Sequence, residues 1–327
     1  MATQRDPDPV QRETDGSTDL YDIATWEARS RLDGLSVFIY NAVRFVVRFV
    51  VVVLAVAILG LQLAIGGLGA ALADPPTAAF IALSILPALL LAGYARYADV
   101  TTKEPLSLLV GTFALGVLFA GFAGVLNSVA QPVFGSIPVI GLVLFFYVIV
   151  GPVEETVKLL AVRLYAYRAS RFDAVVDGAV YGAVAGLGFA TIENAIYIAG
   201  QVNDPAVANV LAAGGGITPL RALAGPGHVI YSAIAGYYLG LAKFNPDRAG
   251  PIVVKGLLIA ALVHATYNTL SSVVPGLVSS FIPSIPPILA FLGFVFVYDA
   301  IFGLYVYRKL ARYRAAYRGA NAGQVAD

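Results

Sequence analysis

Eight long apolar stretches dominate this 327-residue sequence, and each is long enough to cross a lipid bilayer as a helix. Hydrophobic residues make up 59% of the chain and charged residues only 13%, which excludes an ordinary soluble domain. We therefore predict an all-α, polytopic transmembrane helix bundle in the cell membrane. The eight candidate spans are Phe49–Leu72, Thr77–Tyr94, Leu106–Ala130, Val139–Tyr167, Ala174–Gly200, Gly225–Leu241, Ile252–Ser271 and Ile288–Tyr307.

The positions of basic residues predict the orientation of this bundle. Of the 21 lysines and arginines, all but Lys158 and Arg221 fall on one side of the membrane if both termini are cytoplasmic. Cytoplasmic segments of membrane proteins are enriched in Lys and Arg. We therefore predict that both termini are cytoplasmic. The chain then divides into an acidic tail over 1–36, a transmembrane domain over 37–310 and a basic, disordered tail over 311–327.

Composition also limits the partners and the chemistry. The arginines of the C-terminal tail are expected to contact anionic lipid headgroups. No basic patch interleaved with aromatic residues is present, so we predict no nucleic-acid partner. The chain has no cysteine, which excludes disulfides and thiol catalysis.

Few ionisable residues lie deep inside the predicted spans, and each costs on the order of 2.5–3.5 kcal/mol near the bilayer centre. They are Glu154, Glu155 and Lys158 in span four, Glu193 in span five, His228 in span six, His264 in span seven and Asp299 in span eight. The two histidines of the chain are both among them. Ionisable residues within membrane helices usually mark a functional site.

Four of these residues are predicted to lie at one depth. Counted along the chain, Glu154, Glu193, His228 and His264 are each 14 to 16 residues from a charged residue at the cytoplasmic boundary. A rise of about 1.5 Å per residue puts each about 21–24 Å from that boundary, in the outer half of the bilayer. Asp299 lies closer to the cytoplasm and is expected to pair with Lys255 or with a backbone donor.

Local spacing adds three expectations. Lys158 follows Glu154 by four residues and Glu155 by three, so it can contact both carboxylates and leaves one of them free to bind a proton, a water or a metal. Glycines at every fourth position, Gly178, Gly182 and Gly186, allow span five to approach a neighbour closely, and we expect them to bring Glu193 against span four.

The third expectation concerns the two histidines. The sequence Gly225-Pro226-Gly227 predicts a broken helix, with His228 in the first turn of the helix that follows. His264 and Asn268 are four residues apart and present two polar groups on one helix face.

Four short motifs resemble those of a known family. "EETVK" matches E-E-x-x-K, "FATIE" matches F-x-x-x-E, "HATYN" matches H-x-x-x-N, and "GPGH" lies between the last two. Together with the loop "RYADVTTKEPL", they resemble the PrsW family of intramembrane proteases, within the superfamily of CAAX-prenyl-type membrane endopeptidases. The resemblance covers roughly 94–270.

The resemblance implies a peptidase, classed with metallopeptidases, that cuts single-span or otherwise membrane-anchored proteins near the outer face of the membrane. Glu154 or Glu155 would then be the general base, with Lys158 beside it. His264 and Asn268 could bind the oxyanion. Glu193 and His228 would orient the water or bind a metal together with His264, and zinc suits such ligands.

Two other functions remain open at this stage. Carboxylates and histidines within a membrane also serve proton-coupled transporters or carriers, and a broken helix fits that function. A membrane protein without catalytic activity is the third possibility. The sequence does not distinguish a metal-dependent from a metal-free mechanism, nor does it identify the substrate or the oligomeric state.

Overall fold

Long apolar runs make the described part of the chain helical, even where they contain Gly or Pro, with no strand among its elements. The structure is a computed structural model, and it describes residues 19, 28–64, 68–204, 206 and 209–324. The helices are α1 Arg31–Ala64, α2 Leu68–Ala73, α3 Pro75–Tyr97, α4 Leu106–Gly135, α5 Gly141–Leu144, α6 Gly151–Leu164, α7 Val175–Val202, α8 Val210–Lys243, α9 Ala249–Phe281 and α10 Pro287–Gln324. A π-helical segment, Phe145–Val150, joins α5 to α6.

Six of these helical segments are long and apolar enough to cross a membrane: Arg31–Ala64, Pro75–Tyr97, Leu106–Gly135, Val175–Val202, Pro246–Phe281 and Pro287–Arg318. The all-α membrane bundle is therefore confirmed. The two other predicted spans correspond to the interrupted segment 141–164 and to α8, and both carry polar site residues. The total of eight spans and the orientation stay predictions.

The chain divides into two compact units, residues 1–57 and 58–327, and the site described below belongs to the second. Helix α1 begins at Arg31, well before the predicted start of span one at Phe49. Its start has a local cause, because the backbone N–H of Asp33 donates to the Ser30 hydroxyl and the Asp33 carboxylate accepts from the Ser30 backbone. Such a reciprocal cap stabilises a helix N-terminus. Most of the predicted acidic tail lies outside the described residues.

Two predictions about chain ends and breaks are wrong. Helix α8 is continuous through Gly225-Pro226-Gly227, so His228 lies in the middle of a helix and not in a first turn. Pro226 removes one backbone hydrogen bond, and the close packing of α8 within the bundle compensates for that loss. The C-terminal segment, predicted to be disordered from 311, is helical as far as Gln324, since alanine and arginine favour helix.

The predicted pairing of Asp299 with Lys255 is also not found among the described residues. The Lys255 ammonium instead lies 5.7 Å from the centre of the Tyr238 ring. One oxygen of Asp299 has no hydrogen-bond partner within the described part of the chain.

The glycine stripe on α7 packs against α8 almost backbone to backbone. A Cβ atom added at Gly182 would collide with the carbonyl oxygen of Ser232, and one added at Gly186 would collide with that of His228. The prediction of a close approach is confirmed, but the partner expected from sequence, span four, is wrong. The close contact is with the helix that carries His228.

This packing predicts that Gly182→Ala destabilises the protein by about 1–3 kcal/mol, because an added methyl group has no space. Gly200→Ala on the same helix is the matched control, since an added Cβ meets nothing within 4 Å there. It should be neutral or stabilise by about 0.4–1 kcal/mol. Thermal unfolding in detergent measures both variants, and equal shifts would contradict the backbone contact between α7 and α8.

Candidate active site

Four helices bring the predicted site residues to one place in the core of the bundle. Helix α6 supplies Glu154, Glu155 and Lys158, α7 supplies Glu193, α8 supplies His228, and α9 supplies His264 and Asn268. Residues from four of the predicted spans thus lie together, through the contacts described next, and their depth in the membrane stays a prediction.

Glu155, Lys158 and His264 form a fully buried unit. The Lys158 ammonium donates to Oε1 of Glu155 at 2.7 Å, and Nδ1 of His264 lies 2.9 Å from the same oxygen. Since a carboxylate oxygen only accepts, the ring proton of His264 is on Nδ1, and Nε2 carries the lone pair. This carboxylate–histidine arrangement is the one that orients histidine ligands of metals.

Glu154 is the carboxylate that Lys158 leaves free. Its Oε2 lies 3.8 Å from the Lys158 ammonium and 3.7 Å from Nε2 of His264. That oxygen is buried and has no hydrogen-bond partner among the described residues. The other oxygen accepts a hydrogen bond of 3.0 Å from the amide of Asn127 on α4, a residue that sequence reasoning missed.

Glu193 has two cationic or polar partners. The Arg221 guanidinium contacts its Oε2 at 2.5 Å and also donates to Asn194, 2.9 Å away. The same Glu193 oxygen lies 2.9 Å from Nε2 of His228. Sequence reasoning missed Arg221 as a site residue. Its position away from the predicted cytoplasmic boundaries could have indicated a role in the site.

His228 connects the group around Lys158 with the group around Glu193. Its Nδ1 lies 2.9 Å from the Lys158 ammonium, and its Nε2 faces Glu193. Because an ammonium can only donate, Nδ1 accepts and Nε2 carries the proton toward Glu193. The Phe189 ring of the "FATIE" motif packs against both, with the Lys158 ammonium 4.2 Å and the imidazole centre 5.3 Å from the ring centre.

A cavity of about 580 Å³ opens onto this cluster. Glu154, Glu193, His228 and His264 line it together with Asn268, whereas Glu155 and Lys158 are not part of its lining. Its polar lining also includes five amide or hydroxyl side chains from two helices, α4 and α9. These side chains are Asn127, Ser128, Gln131, Ser271 and Ser272.

One mixed set of side chains could hold a metal ion. One donor atom from each of Glu154, His228 and His264 lies within 4.8 Å of the other two, and all three residues are buried. The unpartnered oxygen of Glu154 and the lone pair of His264 fit a zinc ion, which binds carboxylate and imidazole ligands. His228 would have to release either Lys158 or Glu193 to join them.

The sequence-based candidate set was Glu193, His228 and His264, so two of the three residues are shared. Glu154 takes the place of Glu193 in the structural set. The difference follows from Arg221, since a guanidinium 2.5 Å from Glu193 repels a second cation there.

The comparisons with known proteins agree with this site. A family model described as PrsW family intramembrane metalloprotease matches residues 104–301. This chain belongs to that family. The matched range is more than half of the chain and contains every site residue named above.

Curated relatives carry the same name. The chain is 29% identical to Protease PrsW of Bacillus subtilis over 193 residues, 58% of this chain and 81% of that protein. It is also 29% identical to Protease PrsW of Clostridioides difficile, over 57% of this chain and 76% of that protein. No solved structure matches. The chain is thus a multi-pass membrane peptidase, and these matches give no support to a transporter.

Arg221 is expected to position Glu193 and His228. Replacing it in Arg221→Met should lower the rate of proteolysis by about 10- to 100-fold, the usual effect of losing an outer-shell partner. Arg221→Lys keeps a charge but loses the planar contact to Asn194, so it should recover only part of the rate. Steady-state cleavage kinetics measure both variants, and a wild-type rate in Arg221→Met would contradict the positioning role.

Proposed function

We propose that this peptidase hydrolyses peptide bonds of membrane-anchored proteins within the outer half of the bilayer, with a divalent metal at Glu154, His228 and His264. The observation that carries the proposal is the convergence of these three buried side chains on the wall of one large cavity. Zinc is the metal that the ligand types suit best. When bound, it supplies polarisation of the scissile carbonyl and activation of the attacking water.

Glu193 is the general base in this proposal. Its side chain is 23% exposed and lines the cavity, so it can reach both water and substrate. It accepts a proton from the attacking water and returns one to the leaving amine. Arg221 and His228 hold the carboxylate in place from two sides.

Glu155 and Lys158 do not line the cavity, and they position the residues that do. Glu155 is completely buried and contacts His264, so its role is to orient that imidazole. Lys158 balances the charge of Glu155, and its contact with Nδ1 of His228 is the one that His228 gives up when it binds the metal. This differs from the roles expected from sequence, where Glu154 or Glu155 was the base.

Asn268 is the proposed oxyanion donor. It lies one helical turn after His264 and lines the same cavity. An amide N–H₂ there can donate to the negative oxygen that develops on the scissile carbonyl. His264, expected from sequence to share this role, is assigned to the metal instead.

The substrate is a membrane-anchored protein, because the cavity lies among membrane helices. A peptide bond in an intact helix has its carbonyl in a hydrogen bond, so the segment to be cut must unwind first. The amides and hydroxyls of α4 and α9 that line the cavity can hydrogen-bond the unwound chain in place of water.

Purified protein in liposomes, mixed with a single-span substrate, should release two fragments. Glu193→Gln should lower the rate by at least about 10²-fold, the usual effect of losing a proton-transfer group. Glu154→Gln should lower it as well, because it removes a metal ligand. Asp299→Asn is the matched control, since it also neutralises a membrane carboxylate but one outside the cavity lining. Near wild-type cleavage by both glutamine variants would overturn the proposed roles.

Mass spectrometry of the fragments then locates the cut. We expect it in the half of the substrate span that faces the outer surface. Cuts confined to the cytoplasmic half would contradict the proposed depth while leaving the peptidase function intact.

A further inference from the structure

A second cluster of acidic side chains lies away from the active site. Asp99 and Glu104 belong to the connection between α3 and α4, and Asp177 lies in the first turn of α7. One carboxylate oxygen from each lies within 4.8 Å of the other two, and all three residues are buried. Asp177 precedes Glu193 by 16 residues on the same helix, a separation of about 24 Å.

Most protein donors near this cluster are already used. Oδ1 of Asp99 accepts from the backbone N–H and the hydroxyl of Thr101, and Tyr181 donates to Oε2 of Glu104. Oδ2 of Asp177 accepts the backbone N–H groups of Asp173 and Ala174, 2.7 Å away in each case. These bonds fix the three carboxylates in place but occupy only one oxygen of each.

The remaining oxygens lack donors. Oδ2 of Asp99 and Oε1 of Glu104 are buried and have no hydrogen-bond partner in the described part of the chain, and their residues are only 8% and 1% exposed. Oδ1 of Asp177 has one long contact, 3.4 Å from the Thr101 hydroxyl. That hydroxyl has a single proton, which points to Asp99 at 2.7 Å.

No ion pair to these carboxylates occurs among the described residues. The Lys243 ammonium donates instead to the carbonyl oxygens of Tyr167 and Phe172. Arg96 donates to the backbone carbonyl of Glu104 and not to its carboxylate. Buried carboxylates without a countercharge are costly, so something must compensate them.

We propose that Asp99, Glu104 and Asp177 bind one hard divalent cation, of the Mg²⁺ or Ca²⁺ type. The three oxygens without a good donor, fixed by hydrogen bonds to their partner oxygens, supply the all-oxygen ligand set that such ions prefer. The ion links the connection between α3 and α4 to the start of α7. It therefore stabilises the end of the helix that carries Glu193, and it takes no part in the hydrolysis itself.

Mn²⁺ is a suitable probe, since it accepts the same ligands and its free form has a distinct electron paramagnetic resonance signal. Titration of chelator-treated, full-length protein in detergent should show about one Mn²⁺ per chain that persists in His264→Ala, where the active-site set is incomplete. Excess Mg²⁺ or Ca²⁺ should displace it. Binding that disappears in His264→Ala, or that neither ion displaces, would overturn the proposal.

Asp99→Asn and Glu104→Gln are the decisive variants. Each keeps the shape and the hydrogen bond from its Thr101 or Tyr181 partner, and each should lose the Mn²⁺ measured in the His264→Ala background. Asp173→Asn is the matched control, an exposed carboxylate next to the cluster, and it should bind normally. Unchanged binding in both decisive variants would contradict the assigned ligands.

Thermal unfolding provides a readout that does not depend on the probe. Without divalent cations, Asp99→Asn should melt higher than the wild type, because it removes a repelling charge. Added Mg²⁺ or Ca²⁺ should raise the melting temperature of the wild type but not that of the variant. If the wild type is unaffected by either ion, protons neutralise the cluster instead and the cation site does not exist.

Discussion

The buried contact between Lys158 and Glu155 is the interaction on which the rest of the site depends. Its length of 2.7 Å, with both side chains almost wholly shielded, makes a charge in the core of a membrane bundle tolerable. Each partner also makes a hydrogen bond to a histidine: Glu155 contacts His264, and Lys158 contacts His228. One ion pair on α6 thereby sets the tautomer and direction of imidazoles on two other helices. Removing either charge would leave the other uncompensated, which is the costly case for buried pairs.

Backbone packing makes these contacts possible. Glycines on α7 let the α8 backbone approach closely, and Gly151, just before the two glutamates, would place a Cβ 2.6 Å from the carbonyl oxygen of Ala261 on α9. Short distances between helix axes allow the short side chains of Glu and His to meet directly. The same helix packing leaves a cavity on one side of the cluster. Glu154 and Glu193 line this cavity, whereas Glu155 does not.

Sequence reasoning reached the helix class, and it grouped Glu154, Glu193, His228 and His264, which the structure brings together, because the rise per residue places them at similar distances along their helices. It could not identify which side chains of neighbouring helices lie beside these residues. Arg221 and Asn127 approach from helices whose rotation and crossing angle no spacing rule encodes. For that reason the metal set expected from sequence included Glu193, which an arginine already contacts. The continuity of α8 through Gly225-Pro226-Gly227 was missed for a related reason, since tertiary packing overrode a local preference.

The central claim is that Glu154, His228 and His264 hold the metal of an intramembrane peptidase. X-ray absorption spectroscopy of purified, active protein tests it most directly. We predict about one zinc per chain, bound by two imidazole nitrogens and by oxygen at about 2.0–2.2 Å, with one imidazole lost in His264→Ala. Full proteolytic activity in protein that contains no metal would contradict the claim, and so would a bound metal whose spectrum lacks imidazole.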